Sequence, residues 1–341
     1  MGLFDAIVQG IVQGLTEFLP VSSSGHVSLV QHFTGTNIEG SQAFMLFLHV
    51  GTLIAVFIAY WQKIWALIQE FFAMVRDLFT GKFVWKFEKM NENRRMVIMI
   101  VIASACILII LLPIFGFLGI YDSEGELLKN IKDISKHATE DADIIVEGLC
   151  LLVTGFLLLY STYISKKRVK SGQEGKKEVT LKSAVAMGIG QAFATMPGLS
   201  RSGSTTTLGM ITGTDKNAAL EFAFIMGIPA ILGGNVLEIA EMRSEDWAQL
   251  NIGALIVGII IAAVVGLLAI AGLKWVVSND KLHYFGWYCL VAGLAVVVIG
   301  IIEASTGRQF TLANAVASGN ASGDAAGSAI SAAVSAACAL I

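Results

Sequence analysis

The chain has 341 residues, of which 55% are hydrophobic and only 14% are charged. The mean hydropathy of +0.72 excludes a water-soluble globular domain and indicates an integral membrane protein. The formal net charge is -3, and because no basic face is left outside the loops, nucleic acid is not an expected partner. The four cysteines are scattered without CxxC spacing, so neither a zinc site nor a disulfide framework is predicted.

The first polar cluster lies in residues 3–34, which form two short apolar segments on either side of Pro20. Each segment is shorter than the roughly 20 residues that a bilayer span needs, so together they predict a re-entrant helical hairpin. Gln13 and Glu17 lie four residues apart and therefore share one helix face. The turn after Pro20 suits the start of a second helix, where hydroxyls cap free N–H groups. Its residues are Ser22, Ser23, Ser24, Gly25 and His26.

Six longer apolar stretches follow and predict transmembrane helices. They cover 43–62, 96–119, 144–165, 217–240, 251–273 and 284–302. Residues 63–95 and 166–182 are basic, whereas 120–143 and 241–250 are acidic by balance. The amphipathic stretch 64–79 is predicted to lie along the membrane surface.

A second hairpin is predicted over residues 183–213, where an apolar helix, Pro197 and a Ser/Gly-rich turn repeat the plan of the first. The spacing from Gln13 to Gly25 equals that from Gln191 to Gly203. We therefore expect a two-fold internal repeat in a single membrane domain. The predicted bounds are 1–303 for the domain, about 1–165 and 178–303 for the two repeats, and 304–341 for a flexible, low-complexity tail.

The charged loops predict the orientation of these elements. Placing the basic loops on the cytoplasmic side satisfies the positive-inside rule if both hairpins re-enter without crossing. Three full spans separate the hairpins, so the second repeat is inverted relative to the first. The hairpin tips then meet near the midplane, as in inverted-repeat transporters. The predicted fold is an all-α membrane protein with six transmembrane helices and two re-entrant hairpins.

The two turns favour binding of an oxyanion of the phosphate type. Free N–H groups at helix starts attract anions, and Arg201 offers a planar fork of donors. The candidate substrate-binding residues are Gln13, Ser22, Ser24, Ser200, Ser202, Gly203 and Thr205.

Glu17 beside this cradle would repel phosphate unless a divalent cation bridges them or the carboxyl donates a proton. Either Glu17 or His26 is a candidate to activate a serine or a water. A structural ion pair between Glu17 and Arg201 is the alternative interpretation. The remaining intramembrane histidines, His32, His49 and His283, are interpreted as structural or interfacial.

Two motifs resemble the signatures of the undecaprenyl-diphosphate phosphatase family, also called bacitracin-resistance proteins. They are Gln13-Gly-Leu-Thr-Glu-Phe-Leu-Pro-Val-Ser-Ser-Ser-Gly-His26 and Pro197-Gly-Leu-Ser-Arg-Ser-Gly-Ser-Thr205. The resemblance covers roughly residues 1–303. It implies a bacterial inner-membrane enzyme that hydrolyses undecaprenyl diphosphate to undecaprenyl phosphate and inorganic phosphate. Such an enzyme recycles the lipid carrier of peptidoglycan synthesis.

The resemblance also implies roles for single residues. Glu17 matches the essential acidic residue, Ser23 the proposed nucleophile and His26 the motif histidine. Arg201 matches the phosphate-binding motif, together with Ser200, Ser202 and Thr205. A divalent cation, Mg or Ca, is implied as the cofactor, with Glu17 as its candidate ligand. The attacking group stays open among Ser23, His26 and a water on the metal.

The expected partners are a polyprenyl diphosphate lipid and the bilayer, with a homo-oligomer among the open alternatives. The inverted repeat also suggests another class of protein, a transporter or flippase of a polyprenyl phosphate lipid. A carrier needs Arg201 and the helix termini but has no need of Glu17 with Ser23 and His26. The loops 63–95 and 120–143 and the tail depart from the family pattern.

Overall fold

The computed structural model describes residues 2–34, 41–111, 144–242, 247 and 250–306. Across these ranges the regular elements are helices, and strand-like pairing is confined to one bridge between Lys176 and Thr214. The predicted all-α character is confirmed. The last helix includes residues 304–306 of the predicted tail, and the rest of the tail, 307–341, lies outside the described residues, as does the acidic segment 120–143.

The helices are named here in chain order. They are α1 (Leu3–Thr16), α2 (Ser23–Thr34), α3 (Ser41–Ala59), α4 (Trp61–Phe79), α5 (Glu92–Ala105, continued by a 3-10 helix over Cys106–Leu111), α6 (Ile145–Lys170), α7 (Leu181–Phe193), α8 (Arg201–Ile211), α9 (Lys216–Glu241), α10 (Ile252–Ser278) and α11 (His283–Thr306).

Four of the described helices are long and apolar enough to cross a bilayer, namely α6, α9, α10 and α11. A fifth crossing results if α3 and α4 count as one broken span, since they meet at a bend of 91°. The protein is therefore a multi-pass membrane protein. The predicted second span, 96–119, begins in α5, and its last residues lie outside the described ranges.

Helix α4 has the amphipathic character that the sequence predicts. Ile64 and Leu67 are buried on one side, whereas Trp61, Trp65 and Phe72 are exposed. Arg94 at the start of α5 holds this helix through two ion pairs. Its Nε lies 2.6 Å from Glu70 Oε1, and its Nη2 lies 2.8 Å from Asp77 Oδ2. An exposed aromatic face of this kind suits the membrane–water interface.

Glycines let the short hairpin helices approach long helices of the other half of the chain. A Cβ on Gly10 of α1 would lie 2.8 Å from the carbonyl oxygen of Gly258 in α10. A Cβ on Gly188 of α7 would lie closer still to the carbonyl oxygen of Ala103 in α5. Side chains at these positions would therefore push the paired helices apart.

Helices α6 and α11 pack together through reciprocal glycine contacts. A Cβ on Gly148 would lie 3.0 Å from the Gly293 carbonyl oxygen, and a Cβ on Gly293 would lie 2.8 Å from that of Gly148. Gly155 and Gly286 make the same kind of pair, at 2.8 and 3.2 Å. Because the higher number on one helix faces the lower on the other, the two helices run antiparallel. This close pair supports both hairpin turns.

Candidate active site

The turns of the two hairpins touch each other. Ser202 Oγ donates to the Leu19 carbonyl oxygen at 3.1 Å, which links the α8 start to the first turn. A Cβ on Gly25 would lie 2.7 Å from Gly198 Cα, and one on Gly203 would lie 3.2 Å from Pro20 Cβ. The predicted meeting of the hairpins is therefore present as direct contact, and only glycines leave room for it.

Equivalent serines cap the second helix of each hairpin. Ser22 Oγ accepts the Gly25 N–H at 3.3 Å, and Ser200 Oγ accepts the Gly203 N–H at 3.1 Å. Ser22 has a φ of 73°, in the left-handed region that residues with a Cβ rarely adopt. Backbone strain of this kind persists only where the surroundings enforce it, and it is frequent at functional sites.

Glu17 is the centre of the cluster and is only 7% exposed. Its Oε2 accepts a hydrogen bond from Gln13 Nε2 at 3.0 Å and another from Ser23 Oγ at 2.8 Å. Its Oε1 pairs with Arg201 Nη2 across the two hairpins. The structure thus brings together the predicted carboxylate, serine and arginine. A hydroxyl that donates to a carboxylate is placed to lose its proton to it.

Arg201 presents the rest of its guanidinium to the surroundings, because its side chain is 28% exposed. The neighbouring hydroxyls are mostly engaged within their own hairpin. Ser200 Oγ lies 3.3 Å from Ser202 Oγ, and Thr205 Oγ1 donates to the Arg201 carbonyl oxygen at 2.8 Å. Ser24 is exposed, with its Oγ 3.4 Å from that of Ser22. Arg201 and Ser24 are therefore accessible to an anion that reaches the two turns.

His26 does not contact Ser23 in the way that a base for that hydroxyl would. Its Nδ1 lies 2.8 Å from the Ser22 carbonyl oxygen, and its Nε2 lies 2.6 Å from the Tyr288 hydroxyl on α11. The ring is only 2% exposed. Sequence reasoning missed Tyr288, since a tyrosine in an apolar helix carries no sign of a partner 262 residues away.

His49 on α3 is the other residue that the sequence interpretation missed, because it was assigned a structural or interfacial role. Its Nε2 lies 3.8 Å from Glu17 Oε2, and its side chain is 31% exposed. Its Nδ1 lies 3.0 Å from the Met45 carbonyl oxygen. The signal was present in the sequence, since an ionisable residue within an apolar span is by default a candidate for function.

The described residues do not form a cage for a divalent cation. Among them no group of three or more His, Cys, Asp or Glu side chains has the spacing to hold a metal ion. The Glu17 carboxylate accepts hydrogen bonds from Gln13, Ser23 and Arg201. These groups act there as donors and do not provide oxygen ligands for a cation. A cation bound by Glu17 would have to share this carboxylate with them.

Two short hairpins that meet inside a multi-pass helical bundle, with a carboxylate, a serine and an arginine at the contact, define a membrane protein with a buried polar site. The model of the family described as "Bacitracin resistance protein BacA" matches residues 6–295 of the chain. The chain therefore belongs to this family.

Curated relatives agree with this assignment over almost the whole chain. An undecaprenyl-diphosphatase of Alkaliphilus metalliredigens is 34% identical over 302 residues, covering 89% of this chain and 100% of the relative. The protein of the same name from Methanobrevibacter smithii is 36% identical over 297 residues, covering 87% and 97%. That of Bacteroides thetaiotaomicron is 35% identical over 301 residues, covering 87% and 99%.

Proposed function

We propose that this protein is a membrane phosphatase that hydrolyses undecaprenyl diphosphate to undecaprenyl phosphate and inorganic phosphate. The relatives carry the name undecaprenyl-diphosphatase and are matched over nearly their full length. The observation that carries the proposal is the 2.8 Å hydrogen bond from Ser23 Oγ to Glu17, whose other oxygen pairs with Arg201. In a bacterial inner membrane this reaction recycles the lipid carrier for peptidoglycan synthesis and confers resistance to bacitracin.

Ser23 is the proposed nucleophile. Its Oγ forms a bond to the terminal phosphorus while the bond from that phosphorus to the bridging oxygen breaks. The hydroxyl proton passes to Glu17 and on to the bridging oxygen, so undecaprenyl phosphate leaves. Water then attacks the phosphoserine, Glu17 takes the proton of this water, and Ser23 recovers it as inorganic phosphate departs. The bonding of both His26 nitrogens supports Glu17 rather than His26 as the base.

Arg201 supplies the charge stabilisation in this scheme. A planar guanidinium pairs well with phosphoryl oxygens, where negative charge is spread in the transition state. Its pairing with Glu17 also offsets the repulsion between this carboxylate and the diphosphate. The free N–H groups at the starts of α2 and α8 add donors without reorganisation.

A divalent cation, Mg or Ca, is proposed as a companion of the substrate and not as a cofactor held by the protein alone. Because the described residues offer no cage, we propose that the cation arrives with the diphosphate, whose oxygens hold it. When bound, it neutralises part of the phosphate charge.

A homo-oligomer stays a proposal, and a mass measurement of the purified protein in detergent would test it.

The polyprenyl chain is proposed to lie along α3. An apolar groove of about 450 Å³ lies along this helix, from Val50, the residue after His49, to Trp61 at the bend. The hydrophobic side chains that line the groove suit an apolar polyprenyl chain. The groove is lined by Val50, Leu53, Ile54, Phe57, Ile58 and Trp61.

Six crossings and two inverted repeats remain the proposed membrane arrangement. Equivalent caps support it, since Ser22 and Ser200 each accept the N–H three residues on. The packing of the first helix of each hairpin also supports it. Gly10 of α1 lies against α10 in the second half of the chain, and the corresponding Gly188 of α7 lies against α5 in the first half. The repeat bounds stay those predicted from the sequence, about 1–165 and 178–303.

Phosphate release from undecaprenyl diphosphate by the purified full-length protein in detergent tests the function. A phosphatase releases one inorganic phosphate per undecaprenyl phosphate without any membrane. The flippase alternative is favoured by no contact described above. It would give lipid movement in proteoliposomes with no phosphate release, and that result would overturn the proposal.

A further inference from the structure

Both ring nitrogens of His26 have defined roles in hydrogen bonds. A carbonyl oxygen only accepts, so the 2.8 Å contact of Nδ1 with the Ser22 carbonyl requires a proton on Nδ1. In the neutral ring, Nε2 is then an acceptor, and the Tyr288 hydroxyl donates to it at 2.6 Å. The two rings also stack, with centroids 5.8 Å apart and an angle of 20° between their planes. The Ser22 carbonyl and the Tyr288 hydroxyl therefore favour the same tautomer of His26.

This tautomer holds the residue before the nucleophile. Ser22 has a left-handed φ of 73°, and its carbonyl oxygen receives the Nδ1–H of His26. The peptide that starts at this carbonyl leads directly into Ser23, whose Oγ is 2.8 Å from Glu17 Oε2. Rotation of the peptide would carry Ser23 away from the carboxylate.

Helix α11, which carries Tyr288, contacts the same turn at a second point. Cys289 Sγ lies 3.5 Å from the Pro20 carbonyl oxygen, in the turn that precedes Ser22. Cys289 is fully buried, so this part of α11 is fixed against the hairpin. The contact of Cys289 with the turn thus helps to hold the neighbouring Tyr288 hydroxyl next to His26.

We propose that Tyr288 is a positioning residue for the hydrolysis, which acts on Ser23 through His26. The inference rests on the proposed phosphatase function. The Tyr288 hydroxyl favours the Nδ1–H tautomer, this N–H holds the strained Ser22 carbonyl, and Ser23 is thereby aimed at Glu17. His26 is then a brace for the nucleophile turn and not the base that removes its proton.

A double-mutant cycle with Tyr288→Phe and His26→Gln tests this chain of contacts. We expect Tyr288→Phe to lower kcat by about tenfold with an unchanged KM, because misplaced reacting groups slow chemistry more than binding. The double variant should lose no more than His26→Gln alone, since both changes break one chain. Tyr284→Phe is the matched control, because Tyr284 is 63% exposed on the same helix.

Independent, additive losses or a wild-type kcat in Tyr288→Phe would overturn the proposal. A merely structural role would lower the melting temperature in detergent and leave the kcat of the folded protein unchanged, which also contradicts it. These outcomes differ from failure of the proposed function itself, in which the folded wild-type protein releases no phosphate.

The tautomer can be read without any activity. In ¹⁵N-histidine-labelled full-length protein, the signal that disappears in His26→Gln is assigned to His26. We expect it to show a neutral ring protonated at Nδ1 in the wild-type protein and in Tyr284→Phe, and a lower share of this form in Tyr288→Phe, where one of the two partners that favour it is lost. A ring protonated at Nε2 in the wild-type protein would overturn the inference even if every variant stayed folded.

Discussion

At the scale of single residues, Glu17 decides what the site can do. One buried carboxylate receives the hydroxyl of Ser23, the amide of Gln13 and the guanidinium of Arg201. A structural ion pair can often be replaced by an uncharged pair with little loss, whereas a base cannot. The contact with Ser23 is what distinguishes these two interpretations.

Glu17→Gln should fold and insert but hydrolyse undecaprenyl diphosphate at least about a hundredfold more slowly, the lower range for a lost acid–base group. The amide keeps the shape and removes the base. The same loss is expected when Arg201→Gln is added, where no unpaired charge remains. Phosphate-release rates of the folded variants check this. Recovery of activity in the double variant would reduce Glu17 to a counter-ion.

Arg201→Lys should lose most of its activity although the positive charge is retained. A lysine ammonium is a point charge and cannot reproduce a planar fork that serves Glu17 and phosphate together. Phosphate release measured over a range of substrate concentrations checks this. Turnover near that of the wild-type protein would show that charge alone suffices at this position.

The residue scale also shows what a sequence can predict. Glu17, Ser23 and Arg201 stand out because polar groups at breaks in apolar segments are costly unless they have a function. His49 and Tyr288 are single polar residues inside long apolar helices, and the chain must be folded before their partners are evident. The role of His26 was equally out of reach, since it depends on the Tyr288 hydroxyl.

At the scale of helices, small residues set how closely the hairpins can approach their supports. Gly188 of α7 leaves no room for a side chain against the Ala103 carbonyl. By contrast, a Cβ on Gly272 of α10 would meet no atom of another described residue within 4 Å, its own helix backbone and chain neighbours aside. The two glycines therefore differ in environment while both lie inside helices.

Gly188→Ala should destabilise the protein by about 1–3 kcal/mol, as overpacking does in well-packed cores. Gly272→Ala is the matched control and should be neutral or stabilising by about 0.5–1 kcal/mol, because alanine is the better helix former. Thermal unfolding in detergent measures both variants. An unchanged melting temperature in Gly188→Ala would mean that α7 can move away from α5 without loss.

The attachment of α4 to α5 should depend on pH. The hydrogen bond from Arg94 holds the pKa of Asp77 below its usual range. A lowered folded-state pKa stabilises the protein above the unfolded pKa, and this contribution is lost as the pH falls through the folded value. Arg94→Met should therefore unfold at a lower temperature than the wild-type protein at pH 7, and the difference should shrink towards acid pH. A difference that is constant with pH would contradict the role of Asp77.

Element prediction succeeded where composition is decisive and failed at geometry. The short hairpin helices follow from apolar segments too short to span a bilayer and from proline. The 91° bend between α3 and α4 agrees with the prediction that 64–79 turns away from the span 43–62 to lie along the membrane surface, but the value of the angle depends on packing that composition does not specify.

At the scale of the whole molecule, the two hairpins complete one site. Each half of the chain supplies what the other lacks, the carboxylate and serine from the first and the arginine from the second. The sequence predicted this division from the repeated spacing around Gln13 and Gln191. The loops and the tail that depart from the family pattern carry no such periodic signal, and their largest parts, 120–143 and 307–341, lie outside the described residues.

The rate of phosphate release by Ser23→Ala tests the account most directly, because Ser23 joins the chemistry to the contact between the hairpins. Ser104→Ala is the matched control, since the Ser104 hydroxyl is buried without a hydrogen-bond partner among the described residues. Purified full-length proteins are compared in detergent with undecaprenyl diphosphate. We predict that Ser104→Ala releases phosphate like the wild-type protein and that Ser23→Ala does so at least about a hundredfold more slowly. Folded Ser23→Ala protein with the wild-type rate would contradict the account.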